Sequence, residues 1–120
     1  MIIFSIDDEE LSLKTTERVL KAAAPDAELY LFSNANDALE AAKNKDAIPD
    51  VVFSDIEMPD MSGIVFADKL KSLAPDARII FVSAYSEYTV DAFKVRAQGY
   101  LMKPITREDV REELEKVTKQ

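Results

Sequence analysis

Neither cysteine nor histidine occurs in the 120 residues. The first absence removes any disulfide framework or thiolate metal site, and the second removes imidazole as ligand or base. Carboxylates, lysine and hydroxyls are left to carry whatever chemistry the chain performs. Basic runs are also missing, and the formal charge is −8. Gripping a nucleic-acid backbone needs clustered Lys and Arg to displace counterions, so direct nucleic-acid binding by this chain is excluded. Glycine is scarce, with two residues, and the five prolines stand singly, so no stretch reads as a linker or a low-complexity tail. No apolar run approaches membrane-spanning length. The apolar start Met1 to Ile6 is too short for a signal-peptide core and runs directly into Asp7-Asp8-Glu9-Glu10. The expectation is one cytoplasmic domain over residues 1–120, without membrane association, its core drawn from a composition that is 48% hydrophobic.

Five short runs rich in β-branched or aromatic residues recur: Ile2 to Ile6, Glu28 to Phe32, Val51 to Ser54, Ile79 to Ser83 and Tyr100 to Met102. Ile2-Ile3-Phe4, Val51-Val52-Phe53 and Ile79-Ile80-Phe81-Val82 are continuously apolar, as strands covered on both faces are. Helical periodicity separates them. Phe66, Ala67, Leu70, Leu73 and Ala74 share one face, as do Val110, Leu114 and Val117, while Leu13, Thr16, Leu20, Ala23 and Ala35, Ala38, Leu39, Ala42 form two further stripes. The weakest helical segment is Glu87 to Arg96. Ala-Pro-Asp-Ala occurs at Ala24 to Ala27 and again at Ala74 to Ala77, each time between a helical segment and a strand. Proline disfavours helical geometry in the residue before it, so each copy should end a helix and release the chain into the next strand. Alternating strands and helices imply right-handed crossovers and a five-stranded parallel sheet with helices on both faces.

In open α/β sheets, ligands collect at the carboxyl ends of the strands. Asp7 and Asp8 follow the first strand, Asp55 the third and Lys103 the fifth, while Ser83 ends the fourth. Three carboxylates gathered at one edge repel one another, and a bound divalent cation is the direct remedy. Oxygen-only ligands favour Mg²⁺, with Mn²⁺ or Ca²⁺ as substitutes. Each residue also has a plainer reading: Asp8 could cap the helix from Glu9 to Ala24, Lys103 could be a surface lysine before a turn, and Ser83 could cap the helix starting near Glu87. Tyr100 could be core filling or an exposed strand aromatic. The concentration of acids and a lysine at the functional edge favours a site.

The strings Ile6-Asp7-Asp8-Glu9, Ser54-Asp55-Ile56-Glu57-Met58-Pro59-Asp60-Met61-Ser62-Gly63, Val82-Ser83-Ala84 and Lys103-Pro104 together resemble the receiver family of two-component signalling, along the whole chain. That resemblance implies a doubly wound, flavodoxin-like (βα)5 fold with strand order 2-1-3-4-5. It implies Asp55 as the phosphoacceptor, Asp8 as a direct Mg²⁺ ligand, Asp7 as a ligand mostly through water, and the backbone carbonyl of Glu57 as a further ligand. Lys103 would neutralise charge on the transferred group, and the bond to Pro104 is usually cis in relatives. Ser83 would swing toward the phosphoryl group with Tyr100 following inward, switching an output surface on the fourth helix, fifth strand and fifth helix. Tyr88, Phe93, Val95, Arg96, Val110 and Glu113 are expected to be exposed there, although Phe93 and Val95 are residue types more often found in cores. A modest apolar patch on that surface would suit a homodimer or a docked partner. The phosphoryl donor would be a sensor histidine kinase or a small phosphodonor, and the protein would be a switch that catalyses its own phosphorylation and slow dephosphorylation.

The stretch Ser83 to Phe93 resembles receivers attached to LytTR-type DNA-binding domains, so the chain is expected to be either the receiver of such a regulator or a regulator acting alone. Glu57 and Tyr85 depart from the family pattern and flank the path of an attacking water, which should tune dephosphorylation. Three rivals share the fold or the nucleophile. A Mg²⁺-dependent aspartyl-phosphate hydrolase would want a second Asp where Glu57 stands and a substrate-covering cap. An interaction module that signals without phosphorylation would normally have lost part of the acid cluster. A flavodoxin-like cofactor binder would need a phosphate-cradling loop where the acidic Asp7 to Glu10 stand.

Overall fold

The computed structural model describes residues 1–118. Its elements alternate without exception: β1 (Ile2–Ile6), α1 (Glu10–Ala23), β2 (Glu28–Phe32), α2 (Ala35–Lys43), β3 (Val51–Ser54), α3 (Gly63–Leu73), β4 (Arg78–Ser83), α4 (Thr89–Lys94), β5 (Gly99–Met102) and α5 (Arg107–Thr118). All strands are parallel, in the order β2-β1-β3-β4-β5. Both the architecture and the strand order are those expected from the sequence. β4 and β5 each begin one residue earlier than expected, at Arg78 and Gly99.

The period of two along the strands divides the core into two layers. Phe4, Ile6, Val52, Ile79 and Phe81 face Phe66, Ala67 and Leu70 of α3 and the small stripe Ala35, Ala38 and Ala42 of α2. On the opposite face Ile3, Val51, Phe53, Ile80 and Val82 meet Leu20 of α1 and Val110 of α5, with Leu114 and Val117 against the same layer. β3 and β4 are buried along their whole described length, apart from a half-buried Arg78, as their continuous apolar runs imply. β2 is an edge strand and half exposed. The two Ala-Pro-Asp-Ala copies behave alike. At each, the first Ala closes its helix through an N–H bond to Leu20 or Leu70, and the second Ala donates back to the first at 3.1 and 3.0 Å.

Expectations for the α4–β5–α5 face need correction. Val110 and Glu113, expected to be exposed, are buried at 0% and 6% relative exposure. They lie three apart on α5, so they share the face turned to the sheet, and Glu113 packs against Gly99, which has no side chain to keep it out. Phe93, a residue type more usual in cores, is 83% exposed. α4 is only six residues long, and of its side chains only Ala92 is buried. The helix ends where Arg96 takes a left-handed φ of 57°.

Candidate functional site

The hydrogen-bond ladder runs past the ends of the strands and carries the polar residues with it. Asp7 N–H donates to Phe32 O at 3.1 Å, Asp55 N–H to Ile6 O at 3.0 Å, and Lys103 N–H to Ser83 O at 2.8 Å. Each residue is thereby fixed one step beyond its strand, at the carboxyl edge. Gly63 holds the loop after β3 tight. Its N–H donates to Ile56 O at 2.6 Å, and a Cβ there would lie 2.1 Å from the Asp55 carbonyl oxygen. Only a residue without a side chain lets α3 begin so close to Asp55.

Asp7, Asp8 and Asp55 bring one carboxylate oxygen each to within 4.8 Å of one another. Asp7 and Asp55 are buried and Asp8 is exposed. The Lys103 ammonium bridges the two buried acids, donating to Asp7 Oδ2 and to Asp55 Oδ2 at 3.0 Å each. The peptide bond between Lys103 and Pro104 is cis. The other oxygens are held by backbone: Asp7 Oδ1 accepts from Glu9 N–H at 3.0 Å, and Asp55 Oδ1 from Ile56 N–H at 2.7 Å and more weakly from Glu57 N–H at 3.4 Å. Asp7 rather than Asp8 therefore supports the start of α1, and the capping reading of Asp8 is not realised.

Burial raises the Asp55 pKa, with the Asp7 charge adding to it, against the lowering effect of Lys103 and the Ile56 N–H. For Lys103 burial acts downward, but the bonds and charges of Asp7 and Asp55 outweigh it, and its pKa is raised. Three carboxylates against one ammonium leave two negative charges uncompensated. That is the deficit a divalent cation fills. Oxygen-only donors gathered this closely have the hardness that Mg²⁺ or Ca²⁺ prefers, so the residues present fit such an ion. Asp8, Asp55, Glu57 and Lys103 open onto a cleft of about 430 Å³ that Ser12, Ala84 and Tyr85 also line.

Ser83 is fully buried, and its hydroxyl accepts from Tyr85 N–H at 3.0 Å. It therefore belongs to the β4–α4 turn and does not cap α4, which starts at Thr89. Tyr100 is half buried, its ring 6.5 Å from that of Phe81, and its hydroxyl donates to the Tyr85 carbonyl. Both expected switch residues thus grip the backbone of one residue, Tyr85, from its two ends. Sequence reasoning missed the bond from the Tyr88 hydroxyl to Glu57 Oε1, which pushes the Tyr88 pKa up to about 12. It also missed the close approach at Gly63, for which the rarity of glycine in the chain was the available signal.

The profile of the response regulator receiver domain matches residues 3–115. The sensory transduction protein LytT of Enterococcus faecalis is 31% identical over 121 residues, covering 100% of this chain and 49% of that protein. The chemotaxis protein CheY of Listeria monocytogenes is 32% identical over 122 residues, covering 99% of this chain and 100% of that one. Among solved structures, the response regulator TrrA of Thermotoga maritima in complex with Mg²⁺ and beryllium fluoride aligns with a TM-score of 0.82 at 29% identity, covering 97% of both chains. The chain spans about half the length of the first curated relatives it matches. A profile match that runs from β1 into α5 takes in the whole acid cluster and Lys103 with it, and the chain belongs to the response regulator receiver domain family.

Proposed function

We propose that this receiver is a phosphorylation-gated switch in which Asp55 accepts a phosphoryl group from the phosphohistidine of a sensor histidine kinase, or from a small phosphodonor. The observation that carries the reading is the Lys103 ammonium set 3.0 Å from both Asp7 and Asp55 beside an exposed Asp8. An Asp55 carboxylate oxygen forms the new P–O bond while the donor's P–N or P–O bond breaks and its electron pair leaves with the donor. Asp7, Asp8, Asp55 and the Glu57 carbonyl would hold a Mg²⁺ ion, with Mn²⁺ or Ca²⁺ able to substitute. When bound, that ion supplies neutralisation of the acid cluster and polarisation of the phosphoryl oxygens. Lys103, already turned to Asp55, can transfer its hydrogen bond to the incoming oxygens.

Added charge on Asp55 then competes for the Ser83 hydroxyl, which is engaged by the Tyr85 N–H. Release of Tyr85 by Ser83 frees the carbonyl held by Tyr100, and the β4–α4 turn repacks. The change is a shift between two arrangements, biased by the phosphoryl contacts. Its outlet is the α4–β5–α5 face, where Val90 and Phe93 are exposed at 65% and 83%. A homodimer, a protein partner or a LytTR-type DNA-binding domain in a longer regulator would read it. The cytoplasm is the compartment this reading requires, and among the described residues no helix is long and apolar enough to cross a membrane.

Amide spectra of the ¹⁵N-labelled protein test the switch. Adding Mg²⁺ with beryllofluoride should move Ser83 to Tyr88 and Gly99 to Met102 together, and Asp55→Asn should remove the response. A response confined to Asp7, Asp8 and Asp55 would leave a binding site without a switch.

A further inference from the structure

Glu57 belongs to two clefts. With Asp8 it lines the phosphorylation cleft beside Asp55 and Lys103, and with Asp8 it also lines a neighbouring cleft of about 510 Å³ floored by Ile56, Met58 and Pro59. The two residues therefore stand between the clefts. Tyr88 lines only the second one, and from there its hydroxyl donates to Glu57 Oε1 across 31 residues of sequence. The Tyr88 ring is half buried against the α2–α3 core layer and sits at the N-cap of α4, an element separate from the loop that bears Glu57. The bond thus draws the Glu57 carboxylate toward the second cleft from a fixed point outside the phosphorylation site. The Glu57 side chain is exposed, and a glutamate has several accessible rotamers, so it can turn once that bond is lost.

We propose that Tyr88 is a positioning residue that holds the Glu57 carboxylate out of the phosphorylation cleft and so limits how tightly Asp7, Asp8 and Asp55 hold a divalent cation. The proposal rests on the reading of those three acids as the cation site. A released Glu57 can turn into the shared cleft and add a fourth carboxylate near the ion. At about 6 Å through a solvent-like medium, one unit charge acting on a divalent ion strengthens binding by roughly threefold after screening by salt. The bond also ties the start of α4 to the loop that follows Asp55, so the cation site and the output helix share one hydrogen bond.

The test is calorimetric Mg²⁺ titration at fixed ionic strength of the wild type, Tyr88→Phe, Glu57→Gln and the double variant. Tyr88→Phe keeps the packed ring and deletes only the hydroxyl. It should bind Mg²⁺ about threefold more tightly, and the gain should vanish when Glu57 is already Gln. A merely structural role for Tyr88 would loosen the site instead, weakening binding in either background. Unchanged or weaker binding by Tyr88→Phe, with the wild type binding normally, overturns the role of Tyr88 and leaves the cation site standing. A wild type that binds no Mg²⁺ overturns both.

Discussion

Replacing Lys103 by Met removes the ammonium while keeping a side chain of similar length. Both partner carboxylates are nine-tenths or more buried, at 5% and 10% side-chain exposure, and the lysine is at 20%, so the discount for exposed ion pairs does not apply. Breaking a buried pair strands the remaining charges and costs about 3–5 kcal/mol. The partial exposure of Lys103 places this case at the lower end, at about 3 kcal/mol for the metal-free protein at pH 7. For a domain of this size that corresponds to a fall in Tm of about 10–15 °C. The pH dependence carries a definite sign. Burial already raises the Asp55 pKa, and loss of Lys103 removes an opposing influence and raises it further. A carboxyl whose pKa is raised on folding stabilises the native state below its unfolded pKa, and this is lost as pH rises through the folded value. The deficit of the variant should therefore be full at neutral pH and shrink as pH falls toward about 4. Urea denaturation followed by far-UV circular dichroism at several pH values measures it. A deficit under about 0.5 kcal/mol at pH 7, or one that is the same at pH 4, would refute the electrostatic account of the site.

Three further substitutions probe separate parts of the structure. Asp55→Asn should stabilise the metal-free protein at pH 7, because the ionised carboxylate is held there against burial and the Asp7 charge; a lower urea midpoint than wild type at pH 7 contradicts this. Gly63→Ala sets a Cβ 2.1 Å from the Asp55 carbonyl and should cost about 2–3 kcal/mol while slowing phosphorylation, whereas a fully stable variant would mean the loop gives way freely. Glu113→Met replaces a buried carboxylate whose Oε2 has no hydrogen-bond partner and should leave stability unchanged or raise it by about 1 kcal/mol, despite losing the Lys116 contact; a loss above about 1 kcal/mol would show that the ion pair matters more than burial.

The parts of the fold that were legible in the sequence are those set by local chemistry. Ile79-Ile80-Phe81-Val82 could only suit a strand covered twice, and the two Ala-Pro-Asp-Ala copies end their helices with matching bonds. Asp7, Asp55 and Lys103 were placeable because each directly follows a strand, and a parallel sheet brings such positions to one edge. The α4–β5–α5 face was less legible for a physical reason. α4 ends on Arg96 rather than on a glycine, so its short length carries no composition signal, and Phe93 is left in solvent. Glu113 is buried because Gly99, 14 positions earlier, makes room for it, a long-range fit no periodicity encodes. The Tyr88 to Glu57 and Tyr100 to Tyr85 bonds likewise depend on how loops meet, not on spacing within one element.

The whole switch depends on Asp55 accepting a phosphoryl group in a cation-dependent reaction. Intact-mass spectrometry after incubation with acetyl phosphate, with and without Mg²⁺, on wild type and Asp55→Asn tests it most directly. A gain of one phosphoryl mass is expected in the wild type with Mg²⁺, and none in the variant or without the ion. Equal labelling of Asp55→Asn and wild type would contradict the assignment of the acceptor, and no adduct in any sample would point to a receiver that signals without phosphorylation.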